Sequence, residues 1–412
     1  MVYLKFNTSL LHGNFNGDKQ TGATLTPIYQ SSAFEHNTAE KLEDVFSNHA
    51  PGFSYTRINN PTIESFEKRM TLLEGGIGAI ACASGMAAIS NAILNILRSG
   101  DEIISSSAIF GGTIGLFQDL ESFGIKTKYA EGDSTDDFEQ LINEHTKVIF
   151  IETIGNPKLN VIDIKAIAHI SHFHNIPLIV DNTIATPFLV KPIEFGADIV
   201  IHSSSKYING SGNSISGVII DSGNFKWDFE RYPNLATTKK FGHFAYLSKL
   251  RGGLFRNLGA CLAPFNAFLN SLGLETLGIR MERLCTNALK LAEYLESNAK
   301  IKNTNYPGLQ SSDWNSIALK QFNCYFGAIL TIRVGSKENA FTIINNLKYA
   351  VNASNIGDTR TLVIHPASTI YINSSKEEKA NAGVFDDLIR ISVGLEDIED
   401  LIADFENAIS KI

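Results

Sequence analysis

Between residues 77 and 220 short apolar runs alternate with stretches of helical period, and this alternation constrains the fold more than any other feature of the chain. The runs are Ile77–Ala83, Glu102–Ser105, Lys147–Ile151, Pro177–Val180, Asp198–Ile201 and Val218–Ile220. Helical patterns such as Met86–Arg98 and Asp163–His174 lie between most of them. Strand, helix, strand in this order predicts an α/β fold, with a mostly parallel sheet covered by helices on both faces. Ahead of it, Ile63, Phe66, Met70 and Leu73 share one helical face, and Gly75-Gly76 end that helix. Beyond about residue 250 the texture changes. Pro264–Lys300 reads as nearly continuous helix with one break near Gly273. Strand-like Gly327–Val334 and Leu388–Val393 come next, with helix-like Lys337–Asn346 and Asp397–Ile409, which makes a smaller C-terminal α+β domain. Residues 1–60 lack clear elements, although Thr26–Phe34 looks extended. So long an irregular stretch is uncommon inside a compact domain. The expected division is therefore an arm over 1–60 that packs on a second subunit, an α/β domain over 61–255 and an α+β domain over 256–412.

Composition narrows the partners. A net charge of −8 disfavours nucleic acid and anionic membranes. No apolar run approaches the ~20 residues that a membrane helix requires. The residues up to Asp18 lack the basic-then-apolar pattern of a secretory signal. Cys82, Cys261, Cys285 and Cys324 form no C-x-x-C pair, so they read as reduced thiols of a cytoplasmic protein, not a disulfide framework or a zinc site. The ten histidines show no ligand spacing, and no metal is expected.

Ligands of open α/β sheets collect at the carboxyl ends of the strands, so the residues there are the candidates. The run Ile199–Ile201 empties into Ser203, Ser204, Ser205 and Lys206. Lysine is almost never buried without a partner. Its amine can form a Schiff base with an aldehyde, and the hydroxyls of Ser203 and Ser205 suit a phosphate. An aldehyde and a phosphate on one small molecule mean pyridoxal 5′-phosphate. A solvated lysine in a serine-rich loop explains the same stretch equally well. Ser84-Gly85-Met86 opens a helix after another run, where free N–H groups make an anion site, although a serine there is most often only an N-cap. Asp181 comes directly after Pro177–Val180; a buried carboxylate at that point would keep a pyridine nitrogen protonated, and a turn or cap is the alternative. Asp181 and Lys206 are 25 residues apart, which fits two strand ends separated by one helix. Between Glu152 and Asn156 a polar group could meet the phenolic oxygen of the same cofactor. Phe110 could stack on its ring, or simply pack in the core.

Competing motifs fail on context. Gly76–Ala81 matches a loose G-x-G-x-x-A dinucleotide pattern, but it comes after a helix and enters a strand, the reverse of the required order. No phosphate-binding Gly-Lys-Ser/Thr loop and no H-E-x-x-H is present.

Taken together these residues resemble the PLP-dependent Cys/Met metabolism family, from about Leu25 to the C-terminus. The motifs are Tyr55-Thr-Arg57 with Asn60-Pro-Thr62, Ala83-Ser-Gly-Met86, Phe110-Gly-Gly-Thr113, Glu152 with Asn156-Pro157, Val180-Asp-Asn-Thr183, His202-Ser-Ser-Ser-Lys206-Tyr207, Gly357-Asp358, His365–Thr369 and Arg390–Glu396. The resemblance implies the aspartate-aminotransferase (type I) fold. It implies Lys206 as the Schiff-base lysine and the proton carrier, with Asp181 on the pyridinium. The Gly85 and Met86 N–H groups, Ser203 and Ser205 would hold the phosphate, and Ser84 is a cofactor-binding residue beside them. Tyr55 and Arg57 would reach the phosphate of a neighbouring subunit, in a tetramer of two active dimers. Arg390 would clamp the substrate carboxylate, with Asn355 beside it.

Within the family, Pro264–Phe268, Gly273–Leu277, Asn355 and Ser216–Gly223 resemble the O-acetylhomoserine sulfhydrylase branch, and Gly112 stands where methionine γ-lyases tend to carry cysteine. The implied reaction is a γ-replacement: a homoserine ester and sulfide or a thiol give homocysteine or methionine, releasing acetate. The alternatives are a γ-lyase or cystathionine γ-synthase of the same fold, and an idle PLP-fold binding protein. The last is motivated by three departures from the family pattern: Phe110 for tyrosine, Ser211 for histidine, and Thr369-Ile-Tyr371 for Thr-Thr-His. With the phenol at position 110 lost, Tyr55 or Lys206 would protonate the leaving group.

Overall fold

A computed structural model describes residues 4–13, 17–18, 20–47 and 49–412. Seven strands build the larger sheet: β1 (Gly78–Cys82), β2 (Glu102–Ser106), β3 (Lys126–Ala130), β4 (Thr146–Glu152), β5 (Leu178–Asp181), β6 (Ile199–His202) and β7 (Gly217–Asp221). Their order across the sheet is β1-β7-β6-β5-β4-β2-β3. Only β7 runs against its neighbours, so the carboxyl ends of β2, β4, β5 and β6 share one edge.

The unbroken apolar runs reflect cover on both faces. Along β4–β6, Ile149, Ile151, Val180 and Val200 enter one buried cluster, while Val148, Phe150, Ile179 and Ile201 enter a second on the opposite face. Period-two alternation thus divides one hydrophobic run between two cores. The helix Pro61–Glu74 starts on Asn60, whose side chain accepts from the Thr62 N–H, with Pro61 in its first turn. It stops at Gly75, where φ is 80°. Its Ile63, Phe66, Met70 and Leu73 are all buried, as their spacing predicts.

The smaller sheet holds β8 (Asn303–Asn305), β9 (Ile329–Arg333), β10 (Val351–Asn352), β11 (Leu362–Ile364) and β12 (Leu388–Ser392), in the order β10-β11-β12-β9-β8. Helices Lys337–Asn346 and Ile398–Ile409 pack on each other, and Leu277–Ser297 packs on the second of them.

Three expectations need correction. The first 60 residues are not without elements: Phe6–His12 and Ala39–Phe46 are helices. The first of these docks on its own chain, not away from it. Leu10 is buried, its carbonyl accepts from Arg69 Nη2, and the Phe6 ring meets that of Phe188 at 5.6 Å. Seven residues are too few for a helical period to be read. Second, the long C-terminal helix breaks at Thr276, between Pro264–Glu275 and Leu277–Ser297, not at Gly273. Gly273 serves close packing: a Cβ there would lie 2.3 Å from the Ile208 carbonyl oxygen and 2.4 Å from that of Asn209. Third, β3 at the sheet edge is not marked in the sequence, because Lys126-Thr-Lys-Tyr-Ala130 has no apolar run. The short strands β8, β10 and β11 escape sequence reasoning as well.

Candidate active site

The carboxyl edge of β4–β6 opens on a cavity of about 280 Å³. Lys206, in the turn after β6, and Asp181, the last residue of β5, both line it. Asp181 is half-buried, and its Oδ1 accepts from the Thr183 N–H at 2.9 Å. Burial pushes its carboxyl up, opposed by the hydrogen bonds from Thr183 and by the imidazole of His202. Burial, with the nearby Arg390 guanidinium, lowers the Lys206 amine to about 8. Its Nζ donates to the Asn355 Oδ1.

Ser84, Gly85 and Met86 form one wall. Ser84 caps the helix Gly85–Leu94, its hydroxyl accepting from the Ala87 N–H at 3.0 Å. The first-turn amides of Gly85 and Met86 have no intrahelical acceptor, because helices leave their first N–H groups unpaired. A Cβ at Gly85 would lie 2.6 Å from Ser203 Cβ and 2.8 Å from Ser203 Oγ. Glycine therefore lets the helix end meet the turn that carries Ser203. The Ser203 N–H donates to Thr183 Oγ1 at 2.8 Å, which ties the turn to the end of β5. Ser205 also lines the cavity, yet its hydroxyl donates to the Ser216 carbonyl and accepts from the Ser216 N–H, each at 2.9 Å.

Arg390 comes from β12 of the smaller sheet. It is 4% exposed; Nη1 donates to Asn156 Oδ1 at 3.1 Å and Nη2 to the Asn355 carbonyl at 3.0 Å. Burial lowers its guanidinium to about 10, so it keeps its charge near neutral pH. Phe110 sits before the helix Gly111–Glu121 with its ring on the cavity. Its N–H donates to Glu152 Oε1 at 2.7 Å.

Of the expected residues, Lys206, Asp181, Ser84, Gly85, Met86, Phe110, Asn156, Ser203, Ser205, Asn355 and Arg390 surround this one cavity. Tyr55 and Arg57 do not line it. Tyr55 is 40% exposed, and Arg57 lies over its ring at 5.3 Å while donating to the Arg256 carbonyl at 2.7 Å. Sequence reasoning missed Thr183, which links Asp181 to Ser203. It also missed the grip of Glu152 on the Phe110 amide. Thr183 stands two residues after a strand-end carboxylate, the spacing of an Asx turn, which was the available signal. Tyr371 is buried, with its hydroxyl 3.3 Å from the Asn156 carbonyl oxygen.

An amine and a carboxylate facing one cavity, with a glycine-floored helix N-terminus between them, fit pyridoxal phosphate: an aldehyde, a ring nitrogen and a phosphate each find a matching group. Fold and site define a pyridoxal-phosphate-dependent enzyme of the aspartate-aminotransferase type. The chain belongs to the Cys/Met metabolism PLP-dependent enzyme family, whose match runs over residues 7–410. It is 40% identical to the O-acetyl-L-homoserine sulfhydrylase of Corynebacterium glutamicum, covering 99% of this chain and 97% of that protein. It is also 40% identical to the homocysteine synthase of Schizosaccharomyces pombe, over 98% of each. A solved structure from Campylobacter jejuni, described as an O-acetylhomoserine (thiol)-lyase with a pyridoxyl-lysine phosphate, superposes with a TM-score of 0.93 at 36% identity, covering 99% of this chain and 100% of that one.

Proposed function

We propose that this enzyme is an O-acetyl-L-homoserine sulfhydrylase, replacing the acetate at Cγ of O-acetylhomoserine by sulfide or a small thiol. The observation that carries the site is the meeting of Lys206, Asp181 and Arg390 around one cavity. Full-length similarity to a sulfhydrylase and to a homocysteine synthase supports the substrate.

Bound pyridoxal phosphate supplies an electron sink that makes the Cα and Cβ protons of an amino acid removable near neutral pH. Lys206 is the residue that joins it covalently, and in its free-amine form the proton carrier. An amine lowered to about 8 both accepts and returns protons near neutral pH. Asp181 would pair with the ring nitrogen. The Gly85 and Met86 amides, with Ser84, Ser203 and Ser205 around them, would hold the phosphate. Phe110 would stack on the ring, and Asn156 would meet its phenolic oxygen. Arg390 takes the substrate α-carboxylate in a two-pronged contact, flanked by Asn355. Lys206 is placed to take the Cα proton of the substrate, release it, and then take the Cβ proton. Acetate would leave Cγ, the thiol sulfur would bond there, and the proton the thiol gives up would balance the acetate.

The arm residues Tyr55 and Arg57 serve the cavity of a neighbouring copy in a tetramer of two active dimers, a reading supported by their exposure and by their absence from the lining of this chain's own cavity. Tyr55 shares with Lys206 the task of protonating the leaving group, since Phe110 carries no phenol. The domain division at residues 60 and 255 and a cytoplasmic setting belong to the same reading; four unpaired cysteines agree with a reducing compartment. Among the described residues no helix is long and apolar enough to cross a membrane.

The test is purified holoenzyme with O-acetylhomoserine and sulfide, measuring homocysteine and 2-oxobutyrate together. Homocysteine as the main product supports the proposal. 2-Oxobutyrate as the main product assigns the chain to the γ-lyases, and neither product rejects both.

A further inference from the structure

A buried cation stands behind the turn that carries Lys206. That turn ends at Gly210, where φ is 74° and the N–H donates to the Lys206 carbonyl at 2.8 Å. The next two carbonyls, of Tyr207 and Ile208, are left over as at any helical C-terminus. Arg280, from the helix Leu277–Ser297, takes both. Its Nη1 donates to the Tyr207 carbonyl at 2.7 Å and its Nη2 to that of Ile208 at 3.3 Å. Nη2 also donates to the Gly273 carbonyl at 2.7 Å, and Nε to Thr276 Oγ1 at 3.1 Å.

Stability alone is a poor account of this arrangement. Arg280 is 8% exposed, and burial lowers its guanidinium to about 10 with no carboxylate among the described residues to oppose it. It also closes the first turn of its own helix, the end where the dipole disfavours a cation. Burying a charge without a counter-charge is costly. Two glycines make the room: a Cβ at Gly210 would collide with Arg280 Nη1, and one at Gly273 with the carbonyls of Ile208 and Asn209. What the cation grips explains it better. Tyr207 is the chain neighbour of Lys206, whose own N–H donates to the Ser203 carbonyl at 3.1 Å. The lysine's main chain is thus held on both sides. Arg280 itself lines no part of the cavity, so it reaches the chemistry only through that main chain.

We propose that Arg280 is a positioning residue for Lys206: it fixes the main chain just past the lysine, so that the amine moves between cofactor and substrate from a rooted Cα. This rests on the reading of Lys206 as the proton carrier. A group that passes protons must stay within hydrogen-bond reach of each, and a misplacement of about 1 Å can cost about a hundred-fold in rate.

The experiment compares wild type with Arg280→Lys, which keeps the charge but not the fork. Two quantities are read. One is amide hydrogen exchange of the Lys206–Gly210 segment in the apoprotein. The other is exchange of the Cα hydrogen of L-norvaline, which has no leaving group at Cγ, into deuterium oxide by the holoprotein. Faster amide exchange is expected in the variant, with Cα exchange at saturating norvaline slowed about ten- to a hundred-fold. The half-saturating norvaline concentration, set by Arg390, is expected to move less than about two-fold, since a lost transition-state contact lowers the rate and not the affinity. Cα exchange at the wild-type rate, even with a lowered thermal midpoint, overturns the proposal by showing a structural role only. Slowed Cα exchange with unchanged amide protection overturns it too, because the effect then does not pass through the turn. If Arg280→Lys does not fold, Thr276→Val, which removes the acceptor of Nε, reads both quantities with changes in the same direction. Lys206→Ala loaded with pyridoxal phosphate separates the two readings: Cα exchange at the wild-type rate in that variant rejects Lys206 as the proton carrier.

Discussion

Glu152 and Asp181 are cross-strand partners, directly paired in the parallel register of β4 and β5, and at the edge of the cavity Glu152 is buried and Asp181 half-buried. Two carboxyl groups in such a place do not both ionise readily. Burial and the Asp181 charge push Glu152 well above the usual carboxylate range. Glu152 is therefore a neutral acceptor for the Phe110 amide, which leaves the charge to Asp181. Glu152→Gln preserves that acceptor without the acidic proton and is expected to change stability near neutral pH by less than about 1 kcal/mol. Glu152→Ala strands a partly buried N–H and costs about 1–3 kcal/mol. Urea unfolding of both variants checks this.

Cofactor uptake is expected to depend on the Lys206 amine. Only the unprotonated amine attacks an aldehyde, and burial sets this one at about 8. The rate at which apoprotein gains visible absorbance on mixing with pyridoxal phosphate therefore rises with pH and levels off above that value. Stopped-flow mixing over a pH series measures it, and Lys206→Ala gives no covalent absorbance.

Arg390 presents two nitrogens from a fixed plane, held by Asn156 Oδ1 and the Asn355 carbonyl. Lysine cannot reproduce that fork. Arg390→Lys is expected to raise KM for the homoserine ester by about 10- to 100-fold, the loss of one charge-assisted contact, with a smaller fall in kcat. Steady-state kinetics in the ester concentration separates the two.

Gly85→Ala places a methyl group 2.6 Å from Ser203 Cβ. Overpacking of this kind costs about 1–3 kcal/mol, and relief requires the helix end to move off the phosphate wall. The expected outcome is weaker cofactor retention, read as pyridoxal phosphate lost on dialysis.

Asp221, at the end of β7, is 2% exposed; its Oδ1 accepts from the Gly223 N–H while Oδ2 has no partner. Burial raises it from 3.8 to about 7. The folded state thus binds a proton that the unfolded state releases at lower pH. The contribution is fully present below the unfolded value and is lost as pH rises through about 7. Asp221→Asn removes it and is expected to flatten the fall in stability between mildly acidic and alkaline pH, by at most about 4 kcal/mol. Thermal midpoints of both proteins across pH test this.

Much of the fold was legible because the larger sheet is buried on both faces. Its strands are unbroken apolar runs, and the polar residues just past the end of each parallel run lie at the ligand-binding edge. Lys206, Asp181 and Gly85 were found in that way. The edge strand β3 was not, since an edge faces solvent and needs no apolar run, and neither was the helix Phe6–His12, where one buried leucine in seven residues is no pattern. Arg390 was reached only by resemblance, because nothing in the local composition of β12 marks it as facing a cavity formed chiefly by the other sheet.

The order of residues alone determined the alternation of strand and helix, and which side chains stand at strand ends, since both come from local periodicity and turn chemistry. Tertiary structure decided the rest. It carried Arg390 from the smaller sheet, and Asn355 from the loop between two of its strands, to Lys206, set Glu152 opposite Asp181, and sealed Glu74 against His202 beneath them. Strand register, burial and the charges that burial perturbs are properties of segments far apart in the chain, and no local pattern encodes which of them will meet.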